Sequence, residues 1–216
     1  MRRHSRYLLY LFLTLSGFAL LTKIFTVKQV NITGNVLTNE GHIRRIIGQP
    51  NLLWTDLNQL AQKIAKDNFI DIVTISVKGP STINVKVDEL KPIVNLDLNG
   101  ALLQIAANGT ILTVGDTIEA PTIRGVEIFP FLPGNRIPRE YILYLQLVEA
   151  VKELGLTEII LSTTGTTLKL GNKCEVFLGQ ELEDPQIIRQ KLKEITMRGQ
   201  EHKYIDLSQK GYARGL

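Results

Sequence analysis

Between Tyr7 and Val27 the chain reads YLLYLFLTLSGFALLTKIFTV, with no charge from Tyr7 to Thr22 and a single Lys23 near its far end. An α-helix rises about 1.5 Å per residue, so roughly 20 residues cross a hydrocarbon core of about 30 Å. The pattern predicts a transmembrane helix over 7–27, with Lys23 placed where its ammonium reaches the interface. Arg2, Arg3 and Arg6 precede the run, with His4 beside them and no acid. Positive residues stay inside, so the tail 1–6 is expected in the cytoplasm and everything after the helix outside it. Gly17-Phe18-Ala19 is a triplet that a signal peptidase could accept. The apolar run continues past it to Val27, which favours an uncleaved anchor.

After the anchor the period changes several times. Val27, Val30 and Ile32 mark a strand that Thr33-Gly34-Asn35 ends. Thr38-Asn39-Glu40 opens a short helix with a capping residue and an acid in its first turn; it carries Ile43, Ile46 and Ile47 and is closed by Gly48 and Pro50. Thr55 is the expected N-cap of a second helix with Leu57, Leu60, Ala61 and Ile64 at helical spacing. Val73, Ile75 and Val77 then alternate with polar residues, Gly79-Pro80-Ser81-Thr82 turns, and Ile83, Val85 and Val87 alternate again. This is a hairpin with one buried face, and the order strand, helix, helix, strand, strand fits two helices on one face of a three-stranded sheet.

The second half is expected to begin with a hairpin around Asn108-Gly109, a pair suited to the φ > 0 positions of a two-residue turn. Gly125 to Arg139 reads as a loop whose Phe129 and Phe131 pack rather than bind. A helix follows from Pro138, with Leu143, Leu147, Ala150 and Leu154 as its apolar stripe and Gly155 as its cap. A strand meander runs through Ile159–Leu161, Thr166–Leu170 and Cys174–Leu178. Asp184-Pro185 starts a last helix with Ile188, Leu192 and Ile195, and Tyr204–Ser208 forms a last strand.

Composition changes this picture in one respect. The net charge is +4, and Arg2, Arg3, Arg6 and Lys23 account for all of it: the other 21 basic residues balance 21 acids. The alkaline balance belongs to the membrane flank and gives no support to nucleic-acid binding. One cysteine, Cys174, excludes an internal disulfide and reads as a buried inert thiol. His4, His42 and His202 lie apart from one another, with no metal-ligand spacing, nucleophile elbow or phosphate loop. No catalytic residue, metal or cofactor is expected, and no small-molecule substrate. Asp206 reads as a structural acid.

Several motifs carry a resemblance. A Val-x-Val-type strand ending in Gly34-Asn35, Asn51-Leu52-Leu53, the Val77-to-Val87 hairpin with Gly79-Pro80-Ser81-Thr82, and Glu89-Leu90-Lys91-Pro92 together resemble the POTRA domain of the FtsQ/DivIB cell-division proteins. Leu168-x-Leu170-Gly171-Asn172, Val176-x-Leu178-Gly179, the helix with Ile188, Lys191 and Leu192, and Tyr204-Ile205-Asp206-Leu207 resemble that family's β domain, with Ser208 where the family commonly has Arg. The resemblance implies an α+β protein: a cytoplasmic tail 1–6, a transmembrane helix 7–27, a POTRA domain of β-α-α-β-β order at 28–92, and a mixed α/β domain with a largely antiparallel sheet at 93–216. It implies a non-enzymatic divisome scaffold in the cytoplasmic membrane at the division septum. The expected partners are FtsB/DivIC-like and FtsL-like proteins and other septal membrane proteins. The last strand region is the expected sheet edge for them, through Tyr204, Ile205, Asp206, Leu207, Tyr212, Ala213 and Arg214. A POTRA-bearing assembly or secretion factor and an anchored envelope enzyme are the alternatives.

Overall fold

A computed structural model describes residues 2–115, 118–171, 173–197, 203–208 and 214–215. The chain divides into two compact units, Met1–Leu90 and Lys91–Leu216.

The first unit begins with helix α1 (Arg2–Ile24). Its apolar span, Tyr7–Phe25, is 19 residues long and none of it is buried, unlike the core helix of a soluble domain. Its serine and threonine hydroxyls are bonded within the helix: Thr14 donates to the carbonyls of Tyr10 and Leu11, Ser16 to Phe12 and Thr22 to Ala19. A helix in lipid needs that satisfaction, because no water is there to supply it.

Strands β1 (Gln29–Thr33), β2 (Ile70–Val77) and β3 (Thr82–Glu89) form a sheet in the order β1-β3-β2. β1 runs parallel to β3 and β2 antiparallel to it. Helices α2 (Glu40–Ile47) and α3 (Leu57–Ile64) contribute Ile43, Ile47, Leu60 and Ile64 to a core with Val30, Ile83, Val85 and Val87. Of the Thr38-Asn39-Glu40 run, Asn39 is the cap of α2, its side chain accepting from the Gly41 N–H. α3 starts one residue later than expected. Asp56, not Thr55, is the N-cap, accepting from Asn58 and Gln59, while the Thr55 hydroxyl donates back to the Asn51 carbonyl. A carboxylate at this position also meets the positive end of the helix dipole.

Two residues explain the close fit of the loop after β1. Gly34 has φ +88°, and a Cβ there would stand 2.1 Å from the Val87 carbonyl oxygen of β3. Glu89, at the end of β3, accepts from the N–H groups of Leu37 (2.8 Å) and Thr38 (2.7 Å). Burial works to raise the Glu89 pKa, but the N–H groups of Leu37, Thr38 and Val36 outweigh it and hold the carboxyl below the usual glutamate range.

The second unit is built on one mixed sheet. Its strands are β4 (Pro92–Leu98), β5 (Ala101–Ala106), β6 (Ile111–Val114), β7 (Thr122–Arg124), β8 (Leu156–Ser162), β9 (Gly165–Leu170), β10 (Glu175–Gly179), β11 (Tyr204–Asp206) and β12 (Arg214–Gly215). Among the described residues their order is β12-β11-β10-β9-β8-β7-β4-β5-β6. The β4–β7, β7–β8 and β10–β11 pairings are parallel and the other five antiparallel. Helices α4 (Ile142–Val151) and α5 (Pro185–Met197) pack on each other, and their buried residues join the sheet's core.

Four features depart from the sequence pattern. β4 and β7 were not expected. The two-residue turn with both residues at φ > 0 is Asn99-Gly100 (φ 52° and 95°), between β4 and β5. At Asn108-Gly109 only Gly109 is left-handed, at φ 83°, and its N–H donates to the Ala106 carbonyl. That is a three-residue loop, a type I turn followed by a left-handed glycine. The buried face of α4 is Leu145, Leu147, Val148, Ala150 and Val151, while Leu143 is exposed. The chain then tightens to a 3₁₀ turn at Lys152–Leu154, ahead of Gly155. Phe129 and Phe131 pack against the core, and Phe129 stacks on Tyr141 at 6.0 Å.

Asn95 explains why a polar residue sits inside β4. It is 3% exposed, its Nδ2 donates to the carbonyls of Ile118 (3.0 Å) and Ala120 (3.2 Å), and its Oδ1 accepts from Ile118 N–H (3.3 Å). Asn95→Ala would leave those backbone groups unpaired, and is expected to cost about 1–3 kcal/mol in denaturant unfolding. Glu89 has a folded pKa below its unfolded value of about 4.3, so its contribution is complete above that value and is lost as pH falls through the folded pKa. Glu89→Gln should lower the unfolding midpoint at neutral pH and flatten its decline on the acid side.

Candidate partner-binding edge

Each end of the second unit's sheet carries a row of main-chain groups with the potential to pair with another chain. The β6 end is partly covered by its own unit. Ile111 N–H donates to the Asn135 carbonyl and Gly134 N–H to the Ile111 carbonyl, both at 2.8 Å, and Thr110 bridges to Arg136. Ile137 N–H also reaches the Gly109 carbonyl (2.9 Å). The loop 134–137 thus occupies the start of this edge.

The opposite end is made by β10, β11 and β12. β11 returns beside β10 after α5 and runs parallel to it, pairing Glu175 with Tyr204, Val176 with Ile205 and Phe177 with Asp206. Glu175 N–H donates to the Lys203 carbonyl (2.9 Å) and Leu207 N–H to the Phe177 carbonyl (2.8 Å). The sequence pattern made this strand the free edge, and that expectation is corrected. β12 pairs antiparallel with it, Ile205 opposite Gly215 and Asp206 opposite Arg214, so among the described residues the terminal strand is β12. Two residues are too short a run to show a period of two, so nothing in the pattern marked them.

The expected contact residues therefore differ in what they can offer. Ile205 is 2% and Leu207 8% exposed; both belong to the core and can reach a partner only through their backbone. Tyr204 is half-buried. Asp206 accepts from Ser208 N–H (2.9 Å) and Ser208 Oγ (2.7 Å), an Asx turn that ends the strand. This is the structural work expected of that acid. Tyr212 and Ala213 lie outside the described residues, and Arg214 is described as backbone of β12.

α5 sits beside this edge and is pinned to the end of α4. Glu153 accepts from Arg189 (2.9 Å) and Lys193 (3.3 Å), and those hydrogen bonds hold its carboxyl below the usual range. Lys191 pairs with Glu183 at 2.6 Å. Asp184 caps the helix as expected, accepting from Gln186 N–H. Ile188 and Leu192 point into the core beneath.

Among the described residues no three His, Cys, Asp or Glu side chains converge as a metal ion would need. Cys174 is 2% exposed and burial pushes its thiol pKa up, away from the thiolate that nucleophilic chemistry requires. His42 lies 3.7 Å from Asp67, and His202 is outside the described residues.

The fold is α+β, with an N-terminal apolar helix long enough to cross a membrane, and among the described residues this end of the second unit's sheet closes on β12. Residues 25–89 match the family model described as POTRA domain, FtsQ-type, which supports the FtsQ/DivIB resemblance drawn from the motifs. Among curated proteins none matches the chain.

The burial of Ile205 gives a direct check on this geometry. Ile205→Ala is expected to destabilise the second unit by about 2–5 kcal/mol, whereas Tyr204→Phe should stay within about 0.5 kcal/mol. Denaturant unfolding of the two variants measures both.

Proposed function

We propose that this protein is a non-enzymatic bacterial cell-division scaffold of the FtsQ/DivIB type. The observation that carries the reading is the FtsQ-type POTRA match at residues 25–89, directly after an unburied apolar helix. In this reading 7–27 is an uncleaved single-pass anchor in the cytoplasmic membrane. The arginines at 2, 3 and 6 keep the N-terminus inside and the two units outside. The POTRA domain contacts other septal membrane proteins. The β domain at 93–216 adds a strand of an FtsB/DivIC-like protein, with its FtsL-like companion, to the β11–β12 edge.

In this mode main-chain hydrogen bonds supply affinity and side chains at alternate positions supply selectivity. Tyr204, Tyr212 and Arg214 are the side chains proposed to face the partner, since tyrosine and arginine dominate interface energetics. Ile205, Asp206, Leu207 and Ala213 contribute main chain. Confinement of all partners to one membrane raises their effective concentration, so a modest edge contact suffices. The FtsQ-type character of the matched domain favours this reading over a secretion or assembly factor.

The test uses the full chain in nanodiscs and the extracytoplasmic segment of an FtsB-like protein. Removal of residues 209–216 leaves Ile205 and Leu207 in the core, and is expected to abolish binding while the unfolding midpoint holds. Tyr212→Ala should weaken binding about tenfold or more. Undiminished binding by the shortened chain refutes the assigned edge.

A further inference from the structure

The apolar helix does not lead into a free linker. At its outer end Val27 N–H donates to the Pro50 carbonyl and Leu52 N–H to the Phe25 carbonyl, both at 2.9 Å. The Asn51 carboxamide donates to the Thr22 carbonyl at 2.7 Å, and Thr26 and Asn51 form an antiparallel bridge. The turn between α2 and α3 is thereby fixed against the last turn of α1.

That turn presents its next two side chains outward. Leu53 is 43% and Trp54 66% exposed. The Trp54 ring lies 5.9 Å from the ring of Phe18, centroid to centroid. Phe18 stands seven positions before Phe25, the end of the apolar span, so it lies about 10 Å back along the helix axis. Trp54 is therefore level with the outer part of the span. In water such a pair of large side chains would be an unexplained apolar projection.

We propose that Leu53 and Trp54 enter the outer interfacial zone of the bilayer that α1 spans, so that the POTRA domain is seated on the membrane surface. The occupant of this apolar turn is lipid, because the turn is continuous with a helix whose own surface needs lipid. Tryptophan suits that depth, with an apolar ring body and one N–H for the wet side. From Gln49 to Thr55 the turn carries no charge. Its main chain is also prepared for a dry environment. The N–H of Leu52 goes to Phe25 O, that of Leu53 to Asn51 Oδ1, and those of Trp54 and Thr55 to Asn51 O. Irregular backbone close to lipid is tolerated when its donors are satisfied internally in this way.

The inference rests on the anchor proposed above, and the experiment separates the two. Trp54 is the only tryptophan in the chain, so its emission reports one site. The full chain is placed in phosphatidylcholine nanodiscs with plain or brominated acyl chains. Brominated lipid is expected to remove most of the emission, more so with bromine near the headgroup than near the chain end. Leu53→Asp, which alters an exposed side chain and no hydrogen bond, should relieve that quenching. A chain that stays in the disc but emits equally in plain and brominated lipid overturns the proposal, as does quenching that Leu53→Asp leaves unchanged. A chain that does not integrate at all overturns the anchor itself.

Discussion

Main-chain donors and acceptors that leave a helix or strand must find other partners, and in this chain amide and carboxylate side chains supply them at three joints. Asn51 takes a carbonyl from the last turn of α1 and holds the turn that faces it. Glu89 collects the N–H groups of the loop after β1 and ties them to the end of β3. Asn95 uses its whole carboxamide on the loop that precedes β7. Each joins segments distant in sequence, and each is costly to lose because a buried backbone group left unpaired forfeits its full desolvation free energy.

The same requirement shapes the sheet edges. Where a protein has no use for an edge it covers it, and the loop 134–137 does this at the start of β6. At the other end the last strand among the described residues is the two-residue β12. In the proposed scaffold the main-chain groups of this edge are the working parts, and the rest of the unit holds them in register. The buried Ile205 and Leu207 serve that purpose: they lock β11 onto the core so that its backbone is presented at a fixed height.

Attachment of the first unit to its helix through hydrogen bonds has a mechanical consequence. A flexible tether sets only how far a domain can wander, whereas a hydrogen-bonded joint also sets its tilt. Seated on the bilayer as proposed, the POTRA domain would present a constant face to neighbours in the same membrane, and this lowers the entropy cost of meeting them.

Much of this was legible in the chain itself. The apolar helix, the β-α-α-β-β order, the hairpin of β2 and β3, the cap at Asp184 and the packing role of Phe129 and Phe131 follow from local physics. Period, capping chemistry and turn residues act over a few positions, and the sequence by itself determined them. Two strands of the second unit, β4 and β7, were not legible. β7 is three residues long, and β4 carries the buried Asn95, whose polarity hides the strand until the loop 118–121 is seen to satisfy it. The pattern also placed the cap of α3 at Thr55 rather than Asp56, since both side chains can cap and the choice follows from Thr55 bonding back to Asn51. The order of the strands was likewise decided only by the tertiary structure. Which edge remains open, and whether β11 or β12 forms it, depends on hydrogen bonds between segments tens of residues apart, and no local periodicity encodes them.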